Sequence, residues 1–129
     1  PAPTRESLHD TRLLLLEEGH CFRDQTLSYF GMPAARPREG LDGSSLSTLV
    51  QMVGAGIGVT LIPEMAMPVE TRSAAVSVAR FEPPEPSRRI GMIWRKTSPL
   101  ADQLRRIGAA VERAAARQRR DHASDGATG

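Results

Sequence analysis

Residues 42–63 read DGSSLSTLVQMVGAGIGVTLIP, the most ordered pattern in the chain. Leu46, Leu49, Val50 and Val53 recur at i, i+3, i+4 and i+7, the spacing of one face of an α-helix. Ser44 or Ser45 stands where a hydroxyl caps such a helix. Gly54 and Gly56 stop it, and Gly58-Val59-Thr60-Leu61-Ile62 reads as a buried strand closed by Pro63. Helix, glycine turn and strand make half of an α/β crossover unit, so the fold class is α/β.

The neighbouring segments extend that pattern. Leu13-Leu14-Leu15-Leu16 is a short continuous apolar run, as expected of a strand buried on both faces. Glu17-Glu18-Gly19 ends it, and residues 22–29 predict a helix with Phe22, Thr26 and Tyr29 on one face and Phe30 beside them. Cys21 then falls at a strand-to-helix junction. Residues 31–43 hold Gly31, Pro33, Pro37, Gly40 and Gly43, a loop or irregular crossover. Glu64–Ala66 adds one helical turn. Residues 75–81 alternate weakly as a strand, and Pro83, Pro84 and Pro86 forbid regular structure after it. Residues 90–94 predict another strand, opened by Arg88 and Arg89. The last element is an amphipathic helix with Ser98 as N-cap and Pro99 at its first position. Its apolar stripe is Leu100, Leu104, Ile107, Val111 and Ala114, and Asp102 is placed to pair with Arg106. Beyond Gln118 the apolar anchors end, and residues 118–129 are expected to be a disordered tail. There is no internal repeat.

Composition bounds the function classes. At 129 residues, with 25% charged and 40% hydrophobic residues, the chain suits one modest domain. Aromatic residues are only 4%, so aliphatic packing carries the core. No apolar run approaches the roughly 20 residues that span a bilayer, and PAPTRESLHD has no signal-peptide order. The net charge of +2 is placed unevenly, with Arg88, Arg89, Arg95, Lys96, Arg105, Arg106, Arg113, Arg117, Arg119 and Arg120 all in the last third. Without an aromatic platform or a recognition helix, this reads as a solvated helix face and basic tail, not a nucleic-acid surface. A single cysteine rules out a disulfide within these residues and suits the cytoplasm. His9, His20 and His122 have no metal-ligand spacing to it, and no cofactor motif is present. Residues 1–12 read as a linker, and the chain, opening on Pro1, reads as part of something longer.

Cys21 carries the sharpest chemistry. The thiolate is the reactive form, and cations or a helix N-terminus favour it. The following helix, His20 and Arg23 supply both, which suits attack on a peroxide oxygen. A small buried hydrophobe at a strand end fits the same position, so the residue types leave both readings open. His20 suits a hydrogen-bonded structural role, and Asp24 suits a partner for Arg23 or an amide. Ser44, Ser45 and Ser47 lie at a helix N-terminus that caps itself or holds a small polar ligand. Alternation sends Arg88 and Arg89 to opposite faces, so one of them can reach a site. A Cys–His pair is the minimum for nucleophilic catalysis, but there is no G-x-S-x-G elbow, phosphate loop or H-E-x-x-H; no catalytic residue is assigned and the chain is not read as an enzyme.

The segments LLLLEEGHCFRDQ, SLSTLVQMVGAGIGVTLIP and RRIGMIWRKTSPL resemble the regulatory domain of LysR-type transcriptional regulators, and GHCFRDQ resembles the peroxide-sensing OxyR branch of that family. The resemblance runs from about Leu13 to Leu104. It implies a periplasmic-binding-protein-like (type 2) regulatory domain of two α/β subdomains. Residues 13–80 would form most of the second subdomain, and residues 81–117 the returning strand and helix of the first. It also implies an N-terminal winged helix-turn-helix outside this chain that binds DNA, a homodimer or homotetramer, and work with RNA polymerase. The returning strand and helix would lack their partners here, so the chain alone is expected to be poorly stable or oligomeric.

By the same resemblance Cys21 is the peroxide-reacting thiol. His20, Arg23 and Asp24 shape the peroxide pocket, and Arg88 supports it. The branch usually carries a resolving cysteine where this chain has Phe30. Three outcomes follow: a sulfenic acid or mixed disulfide as the signal, a distant or intermolecular partner cysteine, or loss of redox sensing. In the last case a small-molecule effector at Ser44, Ser45 and Ser47 would be the stimulus.

Overall fold

The apolar run at residues 13–16 lies between two parallel neighbours in the computed structural model, which describes residues 2–8, 10–33 and 42–125. Leu13 bridges to Val59 on one side and Leu16 to Gly43 on the other. Leu14 N–H donates to the Val59 carbonyl at 2.8 Å, and Val59 N–H to that of Arg12 at 2.9 Å. On the opposite edge Gly43 N–H donates to Leu15 O at 2.9 Å and Glu17 N–H to Gly43 O at 3.0 Å. The two strands expected at 13–16 and 58–62 therefore do meet, but through single bridges and not through regular ladders. Gly58 sits at the closest approach: a Cβ there would run into the Arg12 carbonyl and lie 3.1 Å from Leu14 Cγ. Glycine is what lets these two backbones pair.

With the first segment in the middle, the two crossovers run in opposite directions. The first carries α1 (Cys21–Phe30) and the second α2 (Leu46–Gly54). Leu14 and Leu16 form one buried cluster with Leu49 of α2, against which Phe22 of α1 and Leu46, Met52, Val53 and Ile57 pack. Leu15, also buried, points to the other face by the alternation of extended backbone.

α2 follows its sequence signature. Ser45 is the N-cap, and its hydroxyl accepts from Thr48 N–H at 3.2 Å. The helix ends at Gly54, and Gly56 takes a positive φ of 77° in the turn that follows. The expected turn at Glu64–Ala66 is a 3₁₀ turn that runs directly into α3 (Met67–Glu70). Ser47 of α2 donates to the Glu70 carboxylate, tying α2 to α3.

α1 is rotated from its expected orientation. The buried face is Arg23, Thr26, Leu27 and Phe30, whereas Phe22 and Tyr29 are only half-buried. A charged residue replaces an aromatic on the inner stripe because its guanidinium finds partners there, described below. The helix closes at Gly31, left-handed at φ 65°, with Met32 N–H donating to Leu27 O at 2.9 Å. At that end Tyr29, Phe30 and Phe81 pack edge-on, with centroids 5.1 Å apart for Tyr29–Phe30 and 5.4 Å for Tyr29–Phe81. Residues 75–81, expected as a strand, form no ladder among the described residues; Phe81 is anchored by its ring instead. Arg80 pairs with Glu64, whose hydrogen bond and charge, with Glu85 adding, push the Arg80 pKa upward. Both side chains are exposed, so the pair adds little stability.

The chain divides into two units, Pro1–Ser87 and Arg88–Gly129. In the second, residues 90–94 also form no ladder among the described residues, and Ile93 is 98% exposed. A strand needs a partner segment, and none of the described residues bonds to this one as a ladder. Met92 approaches α4 (Ala101–Asp125), its sulfur 3.6 Å from where a Cβ on Gly108 would stand. Ser98 caps the turn ahead of the helix, its hydroxyl accepting from Leu100 N–H at 3.2 Å. Asp102 pairs with Arg105 at 2.8 Å, one residue short of the expected Arg106. The helix also continues through residues 118–125, expected as disordered tail, because alanine and arginine sustain helix without tertiary anchors. Its stripe is open to solvent at Leu100, Ile107 and Val111, with Leu104 half-buried. Residues 34–41, within the expected loop, residues 126–129 of the tail, and His9 lie outside the described residues.

Candidate functional site

Both main helices begin where the parallel segments end, so their N-termini share one edge of the first unit. Open parallel α/β folds bind ligands at this edge, where amide groups and helix dipoles converge. Gly19, at φ 95°, turns the chain out of the central segment, and His20 becomes the N-cap of α1. No side chain caps that end. Cys21 is the first residue of α1, exposed, as the strand-to-helix reading expects. Asp24, in the first turn and exposed, places negative charge where the helix dipole favours it.

Arg23 behaves differently from its neighbours. It is only 6% exposed, and its Nη1 donates to the Leu16 carbonyl at 2.7 Å while standing 3.4 Å from the Asp42 carboxylate. The guanidinium thus links the first turn of α1, the end of the central segment and the start of the next one. A buried charge is tolerated only when paired and hydrogen-bonded, and both conditions hold.

At the other helix the three serines divide their roles. Ser45 is the cap, Ser47 donates to Glu70, and Ser44 is exposed. His20, Cys21, Arg23 and Asp24 therefore share one turn, and Ser44, Ser45 and Ser47 another. Arg88 opens the other unit and is exposed. Asp42 and Glu70 escaped the sequence reading, since each meets its partner across about 20 residues of chain with no local pattern to signal it. Among the described residues no group of three or more His, Cys, Asp or Glu is placed to hold a metal ion, and no helix is long and apolar enough to cross a membrane.

Residues 1–116 match the family described as the LysR substrate binding domain, and the chain belongs to that family. Its fold is accordingly the periplasmic-binding-protein-like one of that domain. Within the family its relatives are OxyR proteins. It is 42% identical over 106 residues to a probable hydrogen peroxide-inducible genes activator of Mycobacterium avium, covering 81% of this chain and 34% of that protein. It is 38% identical over 100 residues to the DNA-binding transcriptional dual regulator OxyR of Escherichia coli K12, covering 78% and 33%. An H2O2-bound mutant of Corynebacterium glutamicum OxyR matches the backbone with a TM-score of 0.79 at 32% identity, over 97% of this chain and 40% of that one. The chain thus spans about a third of the length of the curated relatives it matches.

Proposed function

We propose that this chain is the effector-sensing part of an OxyR-like, LysR-type transcriptional regulator that senses peroxide, with Cys21 as the reacting thiol. The observation that carries the reading is the exposed Cys21 at the first position of α1, inside GHCFRDQ, on the edge where such folds bind ligands. The similarity to proteins named as hydrogen peroxide-inducible genes activators supports the choice of oxidant. The complete protein would be cytoplasmic, assemble as a homodimer or homotetramer, bind DNA through a winged helix-turn-helix and act on RNA polymerase. No catalytic turnover is assigned to it.

The chemistry is a single displacement. The Cys21 thiolate attacks one peroxide oxygen, an S–O bond forms, the O–O bond breaks, and hydroxide leaves and takes up a proton. Sulfur loses two electrons and the peroxide gains them, leaving a sulfenic acid. His20 and Asp24, in the same turn, would shape the site that orients the peroxide, and the proton comes from solvent. Phe30 bounds the next step. It is 1% exposed, packed between Tyr29 and Phe81, and it is no thiol. Within residues 1–129 the sulfenic acid therefore meets no second thiol: it persists as the signal, or condenses with a small thiol or with a cysteine outside these residues, releasing water.

A second reading rests on the α2 N-terminus, where Ser44 is exposed beside the Ser45 cap: a small polar effector binds there and redox sensing is lost. The two readings separate in one experiment on the intact protein. With stoichiometric peroxide followed by dimedone, the thiol reading expects the label on Cys21 and an altered promoter footprint, both lost in Cys21→Ser. An unlabelled Cys21, with a footprint that peroxide leaves unchanged in the parent as in Cys21→Ser, would overturn it and favour the effector reading.

A further inference from the structure

We infer that Arg23 serves peroxide sensing as a positioning residue, acting on Cys21 through a buried latch with Asp42 and the Leu16 carbonyl, and not as a group that touches peroxide. The inference rests on the proposed role of Cys21 and says how the turn bearing that thiol is held. Arg23 is two residues past Cys21 in the first turn of α1, and its N–H donates to the His20 carbonyl at 3.0 Å. Its side chain is buried, and Nη1 is engaged by Leu16 O at 2.7 Å and the Asp42 carboxylate at 3.4 Å. His20 makes no side-chain cap there, so the first turn is held by Phe22, packed on the Leu14, Leu16 and Leu49 cluster, and by the Arg23 guanidinium, which supplies its polar anchor.

The latch also reaches the second helix start. Asp42 precedes Gly43, whose N–H and C=O both bond the end of the central segment, through Leu15 O at 2.9 Å and Glu17 N at 3.0 Å. Two residues on, Ser45 caps α2. One ion pair, buried at Arg23 and half-buried at Asp42, thus registers the thiol turn against the serine turn. Misplacing a reacting group by about 1 Å costs up to about 100-fold in rate, so the latch sets peroxide reactivity without approaching the peroxide.

The discriminating variant is Asp42→Asn, which lies outside the thiol turn and leaves Arg23 in place. The readouts, in the intact protein, are the rate of Cys21 with H2O2, the rate of its alkylation by iodoacetamide across pH, and the melting temperature. The latch predicts that Asp42→Asn and Arg23→Met each slow the peroxide reaction by on the order of tenfold, that the double variant is no slower than either single one, and that Arg23→Lys, which keeps the ion pair, recovers part of the loss. Alkylation across pH should match the parent in Arg23→Lys, which keeps the charge, because iodoacetamide does not require an oriented approach. Peroxide rates unchanged in Asp42→Asn but lowered in Arg23→Met and Arg23→Lys would overturn the latch and make Arg23 a contact residue. A lower melting temperature with the peroxide rate intact in every variant would also overturn it, leaving a purely structural pair. If the parent itself reacts with peroxide no faster than a free thiol, the failure belongs to the role of Cys21 and not to the latch.

Discussion

Replacing Phe30 by cysteine tests the geometry of α1 and the consequence drawn from it. Phe30 is 1% exposed, with its ring centroid 5.1 Å from that of Tyr29 and 6.5 Å from that of Phe81. Truncating a buried phenylalanine to a small side chain costs about 3 to 5 kcal/mol, and the retained sulfur offsets part of it, so Phe30→Cys should destabilise the reduced protein by about 2 to 4 kcal/mol. Loss of the two ring pairs is contained within that figure. The second consequence concerns the disulfide. Positions 21 and 30 are nine residues apart in one helix, a rise of about 13 Å at about 1.5 Å per residue. A disulfide needs Cα atoms within about 7 Å. The new pair therefore cannot close while α1 stands, and oxidation must unwind it. Urea titration of the reduced variant reads the stability. Peptide mapping after peroxide reads the Cys21–residue 30 crosslink, and far-UV circular dichroism reads the helix. The crosslink should appear only with the loss of signal from the 10 residues of α1. A variant as stable as the parent would show that Phe30 is not in the core. A crosslink formed with helix content unchanged would refute the helix itself.

Leu49 is 1% exposed in the cluster with Leu14 and Leu16, so Leu49→Ala should cost about 2 to 5 kcal/mol in the same urea titration, with an unchanged m value. Ser45→Ala removes the hydroxyl that accepts from Thr48 N–H and should cost about 1 kcal/mol, whereas Ser44→Ala, at an exposed position, should leave the denaturation midpoint unchanged. Equal effects of the two serines would misplace the cap. Glu64→Gln removes an exposed partner of Arg80 and should change stability by under about 1 kcal/mol. Because the Arg80 pKa is raised, the contribution of this pair is complete below the guanidinium's ordinary value and fades only above it, so no Arg80-dependent loss should appear at neutral pH.

How much of this was legible in the sequence depends on the range of the interaction that fixes each feature. The α2 cap and stripe, the glycine turn and the placement of Cys21 at a helix start are set within a few residues, and the pattern shows them. The rotation of α1 is not local. Arg23 reads as a solvent-facing or pocket-facing charge until Asp42, 19 positions further on, and the Leu16 carbonyl are seen to receive it. The paired segments show the same divide: the apolar runs reveal extended chain, but their partners decide whether a ladder forms. Residues 75–81 and 90–94 carry strand-like sequence and have no ladder partner among the described residues. The far end of α4 errs in the opposite direction, since local propensity extends a helix past its last apolar anchor.

At the candidate site, the sequence and its family resemblance marked Cys21, His20, Arg23 and Asp24 together, and all four do share one helical turn. What they could not separate is a residue open to a ligand from one that is built into the fold. Cys21 is exposed and Arg23 buried, although both stand in the same seven-residue motif.

The most direct test is the second-order rate constant of Cys21 with hydrogen peroxide in the intact protein, measured beside a free thiol of the same pKa. The account predicts a rate well above that of the free thiol, with the sulfenic acid on Cys21 as the product and no disulfide within residues 1–129. A rate equal to that of the free thiol would contradict it and remove Cys21 from the sensing role.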